Sequence, residues 1–180
     1  MKSLSILAVA LALFAAGCGS DNSTPTTPSN PTTAVFSATL ASSNEVAPNA
    51  VPPGDPEANG SGRATITMHL TRDATGNITA ATTDFSVTYS GFPPGTILTL
   101  SHIHEAAAGV NGNVVVNTAI ASGEVTFPQG SGSLVKNGVA TMPDVATRIM
   151  ANPAGFYFNS HTAAHPGGVV RGQLSQTSAS

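Results

Sequence analysis

The chain has 180 residues, of which 8% are charged, and a formal net charge of −3. That length suits one domain with appendages, and the charge content falls far below the roughly 25% of ordinary soluble domains. With no basic run and no Trp, the chain offers neither the electrostatic footprint nor the stacking platform of a nucleic-acid binder.

Residues 1–17 read as a secretory leader. Lys2 supplies the positive charge, Leu4 to Phe14 an apolar stretch too short to span a bilayer, and Ala15-Ala16-Gly17 the small residues a signal peptidase needs. Cys18, the only cysteine, follows directly. Ala15-Ala16-Gly17-Cys18 resembles a bacterial lipobox, which implies removal of 1–17 and acylation of the Cys18 thiol. Two or more acyl chains give stable anchoring where one gives only marginal binding. The membrane is then a partner through this anchor, the location is extracytoplasmic, and Gly19 after the cysteine favours the outer membrane or cell surface. Residues 18–33, rich in Ser, Thr, Pro and Asn, bury too little apolar surface to fold and read as an extended tether.

From Ala34 the pattern alternates. Phe36, Ala38 and Leu40 share one strand face, as do Ala64, Ile66, Met68 and Leu70, and then Phe85, Val87 and Tyr89. Pro52-Pro53-Gly54 and Gly91-Phe92-Pro93-Pro94-Gly95 break the chain, and Asp73 to Asn77 forms a hairpin loop. Further short strands are predicted over 97–104, 113–120, 122–127, 156–160 and 169–174. Pro143 to Met150 is the one helical segment: Pro143 suits a first turn, Val145 and Ile149 are spaced i, i+4, and Asn152-Pro153 stops it. The expected fold is therefore all-β, an antiparallel Greek-key sandwich or barrel with one short helix near 143–150, a domain over 34–176 and a tail over 177–180.

Four blocks carry a family resemblance. They are Phe36 to Leu40 with Asn44-Glu45-Val46; Gly60 to Ile66; His102-Ile103-His104 followed by Gly109 to Gly112; and Tyr157 to Thr162 with Pro166-Gly167-Gly168 and Arg171-Gly172-Gln173-Leu174. In this order they resemble the CHRD (chordin-type) domain, which implies an extracytoplasmic β-sandwich with no firmly assigned chemistry. Glu105 stands where family members usually have Gly, and Val169 where they usually have Glu. A remoter likeness is to the copper/zinc superoxide dismutases: Pro94-Gly95 before His102-Ile103-His104, and His161 before Gly168 and Arg171-Gly172. It implies an immunoglobulin-like or superoxide-dismutase-like sandwich, copper ligands at His102, His104 and His161, and an anion-guiding Arg171. No zinc-ligand loop lies between Val110 and Pro143, and a single cysteine forms no intrachain disulfide.

The histidines also stand out on their own. His102 and His104, at i, i+2 on a strand, point to one face with Cα atoms roughly 6.5–7 Å apart, close enough for both rings to reach one ion. His161 and His165 follow a later strand, so three or four imidazoles meet if the strands pack side by side. Glu105 and Arg171 are the charged neighbours expected around them. Two readings stay open here: a hydrogen-bonded structural network, with Arg171 pairing Glu105 or Glu45, and a copper or zinc site, since imidazole suits both ions. His69 alternates away from the core and reads as solvent-facing. There is no Gly-x-Ser-x-Gly elbow, phosphate loop or EF-hand run, so no catalytic residue is assigned. The expected function is that of an envelope lipoprotein with a binding or structural role toward an envelope protein, extracellular protein or small ligand, the alternative being a histidine-ligated copper or zinc protein.

Overall fold

The computed structural model describes residues 30–180; the leader, Cys18 and most of the tether lie outside them. Ten strands and one helix follow in chain order: β1 Thr33–Ala41, β2 Ser61–Arg72, β3 Ile78–Ser90, β4 Thr96–Glu105, β5 Asn113–Asn117, β6 Thr126–Phe127, β7 Gly132–Thr141, α1 Pro143–Ala151, β8 Phe156–Thr162, β9 Val170–Gln173 and β10 Ser175–Ala179. All pairings are antiparallel, in the order β5-β4-β8-β9-β1-β2-β3-β7, with β10 alongside β1 and β6 alongside β4.

This ribbon folds over so that its two halves face each other. Phe85 of β3 meets Phe158 of β8 with ring centroids 5.8 Å apart, and the Tyr89 hydroxyl lies 2.7 Å from Ser160 Oγ. The all-β sandwich expected from the alternation is thus the observed fold. The inward set is the predicted one: Phe36, Ala38 and Leu40 of β1, Ile66 and Met68 of β2, and Phe85 and Val87 of β3 are buried. Each large side chain removed from water in this way contributes roughly 1.5–3 kcal/mol. No helix among the described residues is long and apolar enough to cross a membrane.

The helix begins on Pro143 as expected and runs to Ala151, burying Val145, Ala146 and Ile149 against β3. Four strands differ from the sequence pattern, the first being β5, expected over 113–120 but ending at Asn117, short of Ala119 at φ 57°. β7 is additional, since the sequence pattern assigns no element to residues 132–141; Gly138 sits at φ 67° in a bulge and its N–H donates to Asp84 Oδ1 at 2.7 Å. The expected strand over 122–127 contracts to two residues. The expected tail over 177–180 falls mostly within β10, Ser175–Ala179, whose exposed side chains carry no apolar signal but whose backbone pairs with β1 from Ala34 to Ser37.

Candidate metal centre

Alternation along β4, β8 and β9 divides their residues between two faces. Ile103, Phe158 and Val170 point into the core. The residues between them point outward and line up across the strands: His102 opposite Asn159 opposite Arg171, with His104 opposite Tyr157 and Leu100 opposite His161. This outer face would ordinarily be wet. Here it is roofed by residues 42–60, which follow β1, and by the β4–β5 turn, so His102, Asn159, His161 and Arg171 are all buried.

His102, His104 and His161 come together as the sequence predicts. One ring nitrogen from each lies within 4.8 Å of the other two, and His102 Nδ1 is 3.3 Å from His161 Nε2. Bonds of 2.0–2.1 Å to one ion need nitrogens about 3.3–3.6 Å apart, so the trio is at, or about 1 Å from, ligating distances. The remaining hydrogen bonds fix the tautomers. His104 Nδ1 donates to the Gly112 carbonyl at 3.0 Å and His161 Nδ1 to the Pro166 carbonyl at 2.9 Å. Both Nε2 atoms therefore carry lone pairs, directed by backbone partners as in protein metal sites. His104 Nε2 is buried with no hydrogen-bond partner in the protein, a state that costs free energy unless something else satisfies it.

The electrostatics keep the rings neutral. Burial, then the neighbouring His161 and His104, push His102 down to about 4. Burial also holds His104 and His161 below the ordinary histidine value, against the opposing pull of the Gly112 and Pro166 carbonyls. Neutral imidazole is the ligating form.

A second layer holds the trio in place. Tyr157 stacks on His104 with centroids 4.8 Å apart and planes 3° from parallel, and the Arg171 guanidinium lies 4.4 Å above the Tyr157 ring. Arg171 Nε and Nη2 donate to Glu45 Oε2 at 2.7 and 2.6 Å, its Nη1 donates to the Val110 carbonyl, and its Nη2 also donates to Asn111 Oδ1. The other Glu45 oxygen accepts from Asn159 Nδ2 at 2.5 Å. Burial pushes the Glu45 carboxyl up while Arg171 pulls it down. Gly168 makes room for this pair: a Cβ there would sit 2.5 Å from Asn159 Nδ2 and 2.8 Å from Glu45 Oε1.

Three placements differ from the sequence reading. His165 is not part of the trio; its Nε2 turns to Asp55 at 3.1 Å and Glu57 at 3.7 Å, because Thr162 and residues 55–57 draw the loop the other way. Glu105 does not serve Arg171 but takes both Arg148 Nε and Nη2 from α1, at 2.9 and 3.0 Å. Arg171 lies beside the trio, yet its donors are bound to Glu45, Asn111 and Val110, so it is a buried strut and not a free guide for anions. His69 is exposed and meets Asp84, as its alternation implies. Tyr157 and Asn159 escaped the sequence reading as site residues; their alternation with Phe156 and Phe158 was the available signal.

Fold and cluster together define an antiparallel β-sandwich with three convergent imidazoles on the outer face of one sheet. The chain belongs to the CHRD family: the CHRD domain matches residues 36–174, a span that includes the trio, Glu45 and Arg171. Comparisons with curated proteins and with solved structures gave no match.

Proposed function

We propose that this protein is a lipid-anchored cell-envelope lipoprotein whose CHRD domain binds one copper or zinc ion through His102, His104 and His161. The observation that carries this reading is the buried, unpartnered Nε2 lone pair of His104, set by the Gly112 carbonyl at Nδ1, in a trio whose ligand nitrogens all lie within 4.8 Å of one another and in which His161 Nε2, set likewise by the Pro166 carbonyl, faces His102 Nδ1 at 3.3 Å. A purely structural histidine network has little reason to leave His104 Nε2 buried and unpartnered. The lipobox-like Ala15 to Cys18 and the polar tether support attachment to the envelope membrane. The ion's recipient or donor would be an envelope or extracellular partner.

The test is equilibrium titration of the detergent-solubilised protein with Cu²⁺ and Zn²⁺ against a competing chelator. One ion per chain is expected, with affinity falling at least about 100-fold in His104→Gln and in His161→Gln, since even outer-shell partners are worth roughly 10–100-fold. Wild-type binding no tighter than that of either variant would leave an anchored scaffold as the function.

A further inference from the structure

We propose that the ion this centre selects is copper in its cuprous state, held by three imidazole nitrogens alone; this rests on the metal-binding reading above and names the ion and its oxidation state. The donor set is the first ground. Among the described residues no carboxylate or thiol joins the three histidines. Every nearby acid is already committed elsewhere: Glu45 to Arg171 and Asn159, Glu57 to Thr162, Asp55 to His165, and Glu105 to Arg148. Three neutral ligands cancel none of the ion's charge.

Burial is the second ground. His102 and His161 are each 6% exposed, and His104 Nε2 is shut off from solvent. In such low-dielectric surroundings a divalent ion holds two uncompensated charges, and the desolvation penalty rises steeply with charge. A cuprous ion holds one. Coordination number points the same way. Zinc on three histidines closes its tetrahedron by holding a water as well, and Cu²⁺ takes a tetragonal set, so each needs a further ligand brought into this buried site. A d¹⁰ cuprous ion is satisfied by three donors in a near-trigonal arrangement, and imidazole is within its ligand range. The trio supplies three donors, and among the described residues no fourth protein ligand joins them. No change of oxidation state is required: the ion arrives and leaves as Cu⁺ by exchange of nitrogen ligands.

The experiment uses the full chain with Cys18→Ala, which removes its one sulfhydryl. Three titrations are run: Cu⁺ under anaerobic conditions against a cuprous chelator, Zn²⁺ against a zinc chelator, and Cu²⁺ against an amino-acid competitor. The expected result is one Cu⁺ per chain, bound more tightly than either Zn²⁺ or Cu²⁺, with that advantage lost in His104→Gln. Circular dichroism of His104→Gln reports whether the sandwich is retained, and His161→Gln serves as the second variant if it is not. Zn²⁺ or Cu²⁺ binding as tightly as Cu⁺, and depending on the same histidines, would overturn the cuprous assignment while leaving the metal centre standing. Absence of histidine-dependent binding by any of the three ions would overturn both.

Discussion

His102 is held neutral by burial and by the two rings beside it, and that has a consequence for folding. Its folded value, about 4, lies below the 6.5 of a free histidine, and those of His104 and His161 are also lowered. The unfolded chain therefore takes up protons first. The stability these rings confer is present above pH 6.5 and is lost as pH falls through their folded values. For His102 the loss by pH 4 is on the order of 3 kcal/mol. Urea unfolding of the metal-free protein from pH 7 to pH 4 should show wild type losing more stability than His102→Gln; parallel curves would refute the assignment. The i, i+2 histidines and His161 were legible in the sequence because strand alternation fixes a face. The destination of His165 was not, since it depends on where residues 55–57 come to rest, and nothing local specifies that.

Among the elements, β10 shows how a strand is made by its neighbour. Its five residues are all exposed, so no hydrophobic period announces it, and it stands because β1 presents a free edge from Ala34 to Ser37. Removing 175–180 is expected to destabilise the domain by roughly 2–3 kcal/mol, the net worth of a few backbone hydrogen bonds. It should also abolish hydrogen-exchange protection of the amides in Ala34–Ser37 that face β10. Unchanged exchange there would mean the pairing adds nothing. β7 was hidden for a different reason: its Asn137-Gly138 pair is turn chemistry, absorbed here by a bulge next to Asp84. By contrast β1 to β4, β8 and α1 follow from apolar period and Gly/Pro punctuation, because there the burial itself writes the pattern.

At the scale of the whole molecule, β1 sets the orientation of the centre. Its far end, Ala41, pairs with Arg171, in the row that holds Asn159 and His102. Its near end, Thr33, where the tether arrives, pairs with His69. The nine residues of β1 separate the two ends by roughly 27 Å at about 3.3 Å per residue. On the proposed attachment through Cys18, the tether joins the domain at the end remote from the histidines, which are then expected on the side turned away from the lipid. Fluorophores placed by Leu100→Cys and Thr75→Cys on the acylated protein in vesicles report this. A lipid-borne quencher should dim the Thr75 position, at the tether end, and spare Leu100; equal quenching would contradict the orientation. That the first and last thirds of the chain meet at this centre, Glu45 with Asn159 and Arg171, is the part least legible in sequence, since it is a product of topology. X-ray absorption of the copper-loaded protein tests the central claim most directly: three imidazole nitrogens at about 2 Å from the metal are predicted, and a spectrum with fewer than three imidazoles, or one unchanged in His161→Gln, would contradict it.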